Sequence, residues 1–527
     1  MPTLIASFEV DQRQRLILQA DKLREMLGAS RLIEETVEIA EAELSAFPDV
    51  RLVTPVSGVL RFVSDDQTHL AEFLWLLRER IVEEMHLPST ITMLPGVDGS
   101  FKASVDNLEE RVRKKKDAKT GAGARPSSPL FAQCMIQPQL SANIWRPRLF
   151  RSPDDARRGL ISDESKLREE ESDSTYSQQF QKFAALQNFR GKHKKHVWEG
   201  LPKEFSHLAP GEQDSYLAFI KADGDGMGRL LMNLEWDKLS TGMEGSKACL
   251  AFTRELERCL EEATTNAVNK VTRDWEYGAH NRFPVAPLVR AGEDYWIVCR
   301  REKGFSVAVE LDRAYRELVG RSEPITSARK TVPGPVDEPL SLSFGILFVK
   351  QGYPFEAQLH MAESLIKNAK RFRRGLTAKQ GCLDYYWMES SAREDVIGHR
   401  EETQTIVDDG GRFRLYTTPW TMAETEAFLE AAEILSGTEL ASRKLRQLET
   451  ILRLGTEFAE LAYEQWRLKL DGEERGKLDE AVAKIPARFG LQGKVFAAVA
   501  EGSRVSWSPL LDLLRLVEIQ RRRIGEG

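Results

Sequence analysis

Tyr216–Gly228 reads YLAFIKADGDGMG, an apolar run broken only by Lys221 that leads straight into two aspartates spaced by glycines. A short apolar run bounded by glycine predicts a buried strand, and the periodic residues that resume near Met227 predict a helix after it. Asp223 and Asp225 are two apart, so an unbroken strand places both carboxylates on one face. Gly224 and Gly226 let the backbone and a bulky ligand approach closely. Hard oxygen ligands at a strand end, beside a helix N-terminus, suit Mg²⁺ and nucleotide phosphates. Taken alone, D-G-D-G is equally a common turn sequence.

About 65 residues on, Pro287–Arg300 reads PLVRAGEDYWIVCR. Two strand-like runs flank Ala291, Gly292, Glu293 and Asp294, so a β-hairpin carries acids at its tip. An ordinary polar turn has the same composition. In a ferredoxin-like sheet the first strand and the central hairpin lie side by side, so Asp223 and Asp294 come close enough to share one cation. That geometry serves metal-assisted phosphoryl transfer.

The surrounding chain extends this plan. After the long helix through Lys270 and the hairpin come another helix, a strand at Leu340–Val349 and the helix Phe355–Arg373, giving strand, helix, strand, strand, helix, strand. The N-terminal zone repeats the order: Thr3–Phe8, Arg13–Glu43, Arg51–Pro55, Ser57–Val63, Asp66–Met85 and a last strand expected at Ala132–Gln137. In that zone Arg111–Lys119 (RVRKKKDAK) and Thr120–Pro129 read as a surface loop or linker, either solvated or touching phosphate. Residues 146–212 read as a polar, irregular connector. It holds the basic cluster Arg190–His196 near Phe180, Phe183 and Phe189, either a platform for single-stranded nucleic acid or a helix with its Phe face turned inward. Residues 415–527 are helical in period, with Ala441–Leu468 read as one segment. The expected fold class is α+β, with two ferredoxin-like (palm, GGDEF-like) domains at 1–145 and 213–400, the connector at 146–212, and a C-terminal helical bundle at 415–527.

Composition sets the outer bounds. The 527 residues carry 75 Lys and Arg against 81 Asp and Glu, a net charge of −6, which excludes a histone-like polycation but not local basic patches. The five cysteines (Cys134, Cys249, Cys259, Cys299, Cys382) form no C-x-x-C pair, so a zinc ribbon is not expected and reduced cytoplasmic thiols are. No apolar stretch approaches the roughly 20 residues of a membrane span, and Met1–Glu9 does not read as a secretory signal.

KADGDGMG (Lys221–Gly228) followed by RAGEDYW resembles the palm, or GGDEF-like cyclase half, of the large subunit of type III CRISPR interference complexes, where the motifs run close to D-G-D-x-M-G and A-G-G-D-D. Ser341–Lys370 is similar to the family's next strand and helix, with Ser-x-Gly, Tyr-Pro and Ala-Lys. Ala20–Glu34 (ADKLREMLGASRLIE) is similar to a stretch of its first palm. The resemblance implies that Asp223 and Asp294 hold Mg²⁺ or Mn²⁺, with Asp225 and Glu293 as substitute oxygens. It implies further that Gly224, Gly226, Gly228, Gly292, Ser343 and Lys370 border the nucleotide, and that ATP is joined into cyclic oligoadenylates with release of pyrophosphate. It also implies a cytoplasmic antiviral complex with guide RNA, target RNA and other effector subunits as partners.

The sequence departs from the family in two ways. The hairpin is AGED-Tyr: Glu293 replaces a glycine and Tyr295 replaces the second aspartate. A neutral phenol is a poor ligand for Mg²⁺, so loss of the second carboxylate is expected to weaken a two-metal site, and a large gain in product on Tyr295→Asp would mark the palm as impaired by that residue. No His-Asp pair marks an HD nuclease domain, and DNA cleavage by this chain is not expected. Three functions follow from these readings: an oligoadenylate-forming nucleotidyltransferase, a catalytically silent structural and RNA-sensing subunit, or a stand-alone GGDEF-like cyclase. Lys367–Arg374 (KNAKRFRR) either complements a helix end or faces triphosphate or RNA, and Trp387 and Asp384 read as structural.

Overall fold

In the computed structural model the described residues are 3–18, 22–97, 100–119, 144–145, 160–161, 163–178, 180–193, 197–209, 215–239, 245–278, 281–291, 294–332, 340–389, 395–408, 411–437, 442–491, 495–496 and 505–520. The first sheet contains β1 (Leu4–Val10), β2 (Val50–Val56), β3 (Val59–Ser64) and β4 (Ser89–Pro95), in the order β2-β3-β1-β4 and antiparallel throughout. That is the ferredoxin-like order, reached because the hairpin partner β3 and the last strand β4 both add to β1. Alternation along β1 turns Leu4, Ala6, Phe8 and Val10 toward Leu70, Phe73, Leu74 and Leu77 of the helix Gln67–Arg78. Ile5, on the other face, joins the larger core shared with the second sheet. Asp66 caps that helix, accepting from the amides of Thr68 and His69.

Two expectations for this region are corrected. The last strand of the sheet is Ser89–Pro95, while Ala132–Gln137 lies outside the described residues. The charge run Arg111–Lys119 is not a loop but the second half of a helix, Phe101–Lys119. It is anchored by Phe101, Val105, Leu108 and Val112, all buried, at helical spacing. The connector also holds more order than expected: Asp163–Gln178 is a helix.

The second sheet holds β5 (Tyr216–Gly224), β6 (Val285–Ala291), β7 (Asp294–Arg300), β8 (Leu342–Lys350), β9 (Cys382–Trp387) and β10 (Trp420–Thr421), ordered β10-β9-β8-β5-β7-β6. The four strands β8-β5-β7-β6 repeat the ferredoxin-like plan. The helix Phe355–Gly375 then crosses over to lay β9 parallel to β8, and β10 pairs antiparallel on the outside. Apolar residues fill both faces of β5 and β8, as strands covered on both sides require.

Beyond β10 the chain is helical at Met422–Ser436, Ser442–Leu452, Thr456–Leu468, Gly472–Lys484 and Leu510–Gln520. The expected single segment Ala441–Leu468 is two helices, broken where Gly455 takes a left-handed φ of 84°. A small sheet of Thr405–Asp408, Gly411–Arg414 and Val505–Trp507 lies beside the helices. Tyr385 in β9 donates its hydroxyl to Asp512 of the last helix at 2.7 Å, which ties the helical part to the second sheet. The mixed α+β architecture, two sheets followed by helices, is the expected fold class.

Candidate functional site

The β5 strand lies at the middle of the second sheet, and its C-terminal end carries Asp223. In register Asp223 faces Asp294 of β7 on one side and Ser343 of β8 on the other. Two aspartates and a serine therefore meet in one row, directly opposed positions in antiparallel strands being close neighbours. Gly292 and Glu293, between β6 and β7, lie outside the described residues.

After Gly224 the two aspartates part company. The amide of Asp225 donates to the Ser341 carbonyl at 2.8 Å, and Gly226 turns the chain with a left-handed φ of 72°, which a side chain would resist. The short helix Met227–Asn233 follows, and a side chain at Gly228 would meet only open space. The turn swings the Asp225 carboxylate inward, where it is 3% exposed. It accepts from the hydroxyls of Ser341 at 2.7 Å and Ser343 at 2.6 Å, and Arg373 Nε lies 3.3 Å away. Burial pushes its pKa above the usual aspartate value, against the opposing pull of Ser343, Arg373 and Ser341. Ser343 is fully buried, at 0% exposure, and spends its proton on Asp225.

Asp223 remains at the surface, its side chain 34% exposed. The ammonium of Lys370 lies 2.7 Å from Asp223 Oδ1 and donates to the Gly224 carbonyl at 3.0 Å. Lys370 comes from the helix Phe355–Gly375, which packs hard on β8: a Cβ added to Gly345 would sit 2.3 Å from the Ala362 carbonyl oxygen. The Ser-x-Gly pair thus acts as structure, Ser343 holding Asp225 and Gly345 admitting the helix. Of the run Lys367–Arg374, Lys370 and Arg373 face the two aspartates.

The sequence reading gives no role to Lys221 or Glu363, and it places Arg373 in a basic run without pairing it to Asp225. Lys221, buried in β5, pairs with Glu363 at 2.7 Å and lies 5.8 Å from the Trp296 ring centroid. A lysine inside an otherwise apolar strand is the signal that would have found it. Tyr295 opposes Ala222 and is 1% exposed in the core. Strand alternation gives position 295 the opposite face from position 294, so the phenol does not compete for the Asp223 row.

Other expectations resolve by packing. Phe180, Phe183 and Phe189 are buried, Phe183 stacking on Phe283 with centroids 5.5 Å apart, so they form core and not a base-stacking platform. Arg190 and Lys192 sit on the helix Ala184–His193, and residues 194–196 lie outside the described residues. Asp384 is buried and takes two bonds from Arg400, at 2.7 and 3.0 Å. Trp387 stacks on Tyr216. A cavity of about 430 Å³ joins the two sheets, lined by Gln12, Arg13, Arg15, Ser57, Lys116 and Trp296 among others. Among the described residues no group of three or more His, Cys, Asp or Glu side chains converges, and no helix is long and apolar enough to cross a membrane.

No curated protein matches the chain by sequence. Solved structures match its fold over 99% of this chain and 70% of theirs: a Csm1–Csm4 cassette in complex with AMPPNP (TM-score 0.53, 14% identity), the cassette in complex with pppApA (0.53, 13%), and Csm1 of T. onnurineus (0.52, 14%). The family model of the Cas10/Cmr2 second palm domain matches residues 216–377, from the first residue of β5 to just past the helix that carries Lys370. Residues 216–377 are thus similar to the second palm domain of Cas10/Cmr2, and the fold of the chain is that of the Csm1 structures.

Proposed function

We propose that the chain binds ATP with Mg²⁺ or Mn²⁺ at the end of β5 and joins adenylate units, the 3′-hydroxyl of one ATP attacking the α-phosphate of another with loss of pyrophosphate. It does so as the large subunit of a cytoplasmic RNA-guided complex, with guide RNA, target RNA and smaller subunits as partners, and closure of the chain gives cyclic oligoadenylates. The observation that carries this reading is the register pair Asp223–Asp294 at the end of β5, with the Lys370 ammonium on Asp223. Csm1–Csm4 cassettes crystallised with AMPPNP and pppApA support it as relatives of the same fold.

The residues present fit a divalent cation. Asp223 Oδ1 and the Gly224 carbonyl already converge on one positive charge, the Lys370 ammonium, and both are hard oxygens. A bound Mg²⁺ or Mn²⁺ would lower the charge of the phosphates and the pKa of the attacking hydroxyl. Asp223, with Asp294 opposite it in register, would hold that cation. Lys370 offers three N–H donors to phosphate oxygens. Asp225 holds the turn through Ser341 and Ser343 and so aims Asp223. The open space beside Gly226 and Gly228 leaves room for phosphates next to the turn. The cavity between the sheets, with Arg13 and Arg15 of the helix Arg13–Leu18 and Lys116 of the helix Phe101–Lys119 on its wall, would offer positive charge to a second nucleotide.

The test is incubation of the purified complex with ATP, Mn²⁺ or Mg²⁺ and matching target RNA, with products resolved by mass spectrometry. Cyclic products that vanish in Asp223→Ala are expected, and absence of product with either metal overturns the reading. A catalytically silent, RNA-sensing palm is the second reading, favoured by the Lys370 ammonium seated on Asp223. It requires that Asp223→Ala leave assembly and interference intact.

A further inference from the structure

The Lys370 contact has the form of a bound cation. One ammonium touches a carboxylate oxygen at 2.7 Å and a carbonyl oxygen at 3.0 Å, the two donors assigned above to the divalent ion. The stem of Lys370 is rooted in a tightly packed helix. Gly345 holds Ala362 in backbone contact, Leu359, Leu365 and Ala369 are buried, and Arg373, one turn on, reaches Asp225. Only the four-carbon side chain is free to swing.

We propose that Lys370 is a resident counter-ion that occupies Asp223 in the nucleotide-free protein and passes it to the divalent cation when a triphosphate arrives. The inference rests on the reading of this strand end as a metal and nucleotide site. Two positive charges cannot share one carboxylate oxygen without mutual repulsion, so the ammonium opposes entry of a metal alone. A triphosphate carries more negative charge than Asp223 and accepts the ammonium, which frees the carboxylate. Nucleotide and metal binding are then coupled through one side chain, and the coupling is reciprocal. The empty protein stays metal-poor, and the carboxylate becomes available only when substrate is present.

The test uses the full chain and two binding measurements. Mn²⁺ binding without nucleotide is read by electron paramagnetic resonance, and AMPPNP binding in EDTA is read by calorimetry. Lys370→Met is expected to bind Mn²⁺ about ten-fold more tightly than the native protein and AMPPNP at least about five-fold more weakly, the range of ordinary site-to-site coupling. A merely structural lysine would weaken both. Lys370→Arg keeps the charge and is expected to keep the weak Mn²⁺ affinity, and it covers the case in which the methionine variant does not fold. Unchanged Mn²⁺ affinity in Lys370→Met, unchanged AMPPNP affinity, or tight Mn²⁺ binding by Lys370→Arg overturns the proposal. If Asp223→Asn leaves Mn²⁺ binding unaltered in both backgrounds, the metal is not at Asp223 and the underlying reading falls with it.

Discussion

Replacing Asp225 by alanine removes the acceptor around which the end of the second sheet is organised. The carboxylate is 3% exposed and takes the Ser341 and Ser343 hydroxyls at 2.7 and 2.6 Å with Arg373 at 3.3 Å. Hydrogen bonds to a charged partner are worth about 1.5–3 kcal/mol each, and deleting one member of a buried ion pair costs about 3–5 kcal/mol because the other charge is stranded. These contributions overlap, so about 4 kcal/mol is expected for Asp225→Ala, a large share of the roughly 5–15 kcal/mol of an ordinary domain. Asp225→Asn keeps an acceptor for one hydroxyl and is expected to cost about 2 kcal/mol. Urea unfolding followed by tryptophan fluorescence reads both, Trp296 and Trp387 being buried in the same sheet. The reasoning fails if Asp225→Ala unfolds within about 0.5 kcal/mol of the native chain, the range of ordinary surface substitutions. A metal ligand would behave differently: its loss would spare stability without metal and abolish Mn²⁺ binding.

Three further outcomes are expected. Gly345→Ala drives a Cβ to within 2.3 Å of a backbone carbonyl; overpacking of about 1–3 kcal/mol or more lowers the melting temperature and, by displacing Lys370, weakens AMPPNP binding. Tyr295→Asp places a carboxylate where the native side chain is 1% exposed, so it destabilises the sheet by several kcal/mol and gives no gain in cyclic product; a stable variant with raised turnover refutes this. Burial pushes Glu257 up to about 7, against the Ser57 amide, with Glu34 and Glu41 adding to the rise. The folded chain therefore holds a proton that the unfolded chain releases near pH 4.5, and stability falls as pH rises from about 4.5 to 7. Glu257→Gln escapes this loss: it should match the native melting curve near pH 4.5 and exceed it by on the order of 3 kcal/mol at pH 8, and a gap independent of pH counts against it.

The second sheet was readable because its strands are apolar runs closed by glycine and aspartate, and because β5, the hairpin and β8 come in the ferredoxin-like order. The misses have physical causes. β4 buries Thr90 and Thr92, whose β-branched side chains suit a strand but leave no apolar run to see. The helix Phe101–Lys119 hides its apolar stripe ahead of the charge run that dominates its second half. At the site, the Asp223–Asp294 juxtaposition followed from the fold plan. The inward turn of Asp225 did not, because it depends on a left-handed Gly226 and on two serines about 116 residues away. Motif comparison makes Tyr295 a lost ligand because it lines up letters, whereas strand alternation assigns neighbouring letters to opposite faces.

Under the proposed function, Asp223 anchors a divalent-dependent nucleotide site. Calorimetric titration of AMPPNP in the presence of Mn²⁺, on the native chain and on Asp223→Asn, tests this. Saturable binding that weakens at least about ten-fold in the variant is expected, and equal affinity in the two proteins would show that Asp223 does not hold the site.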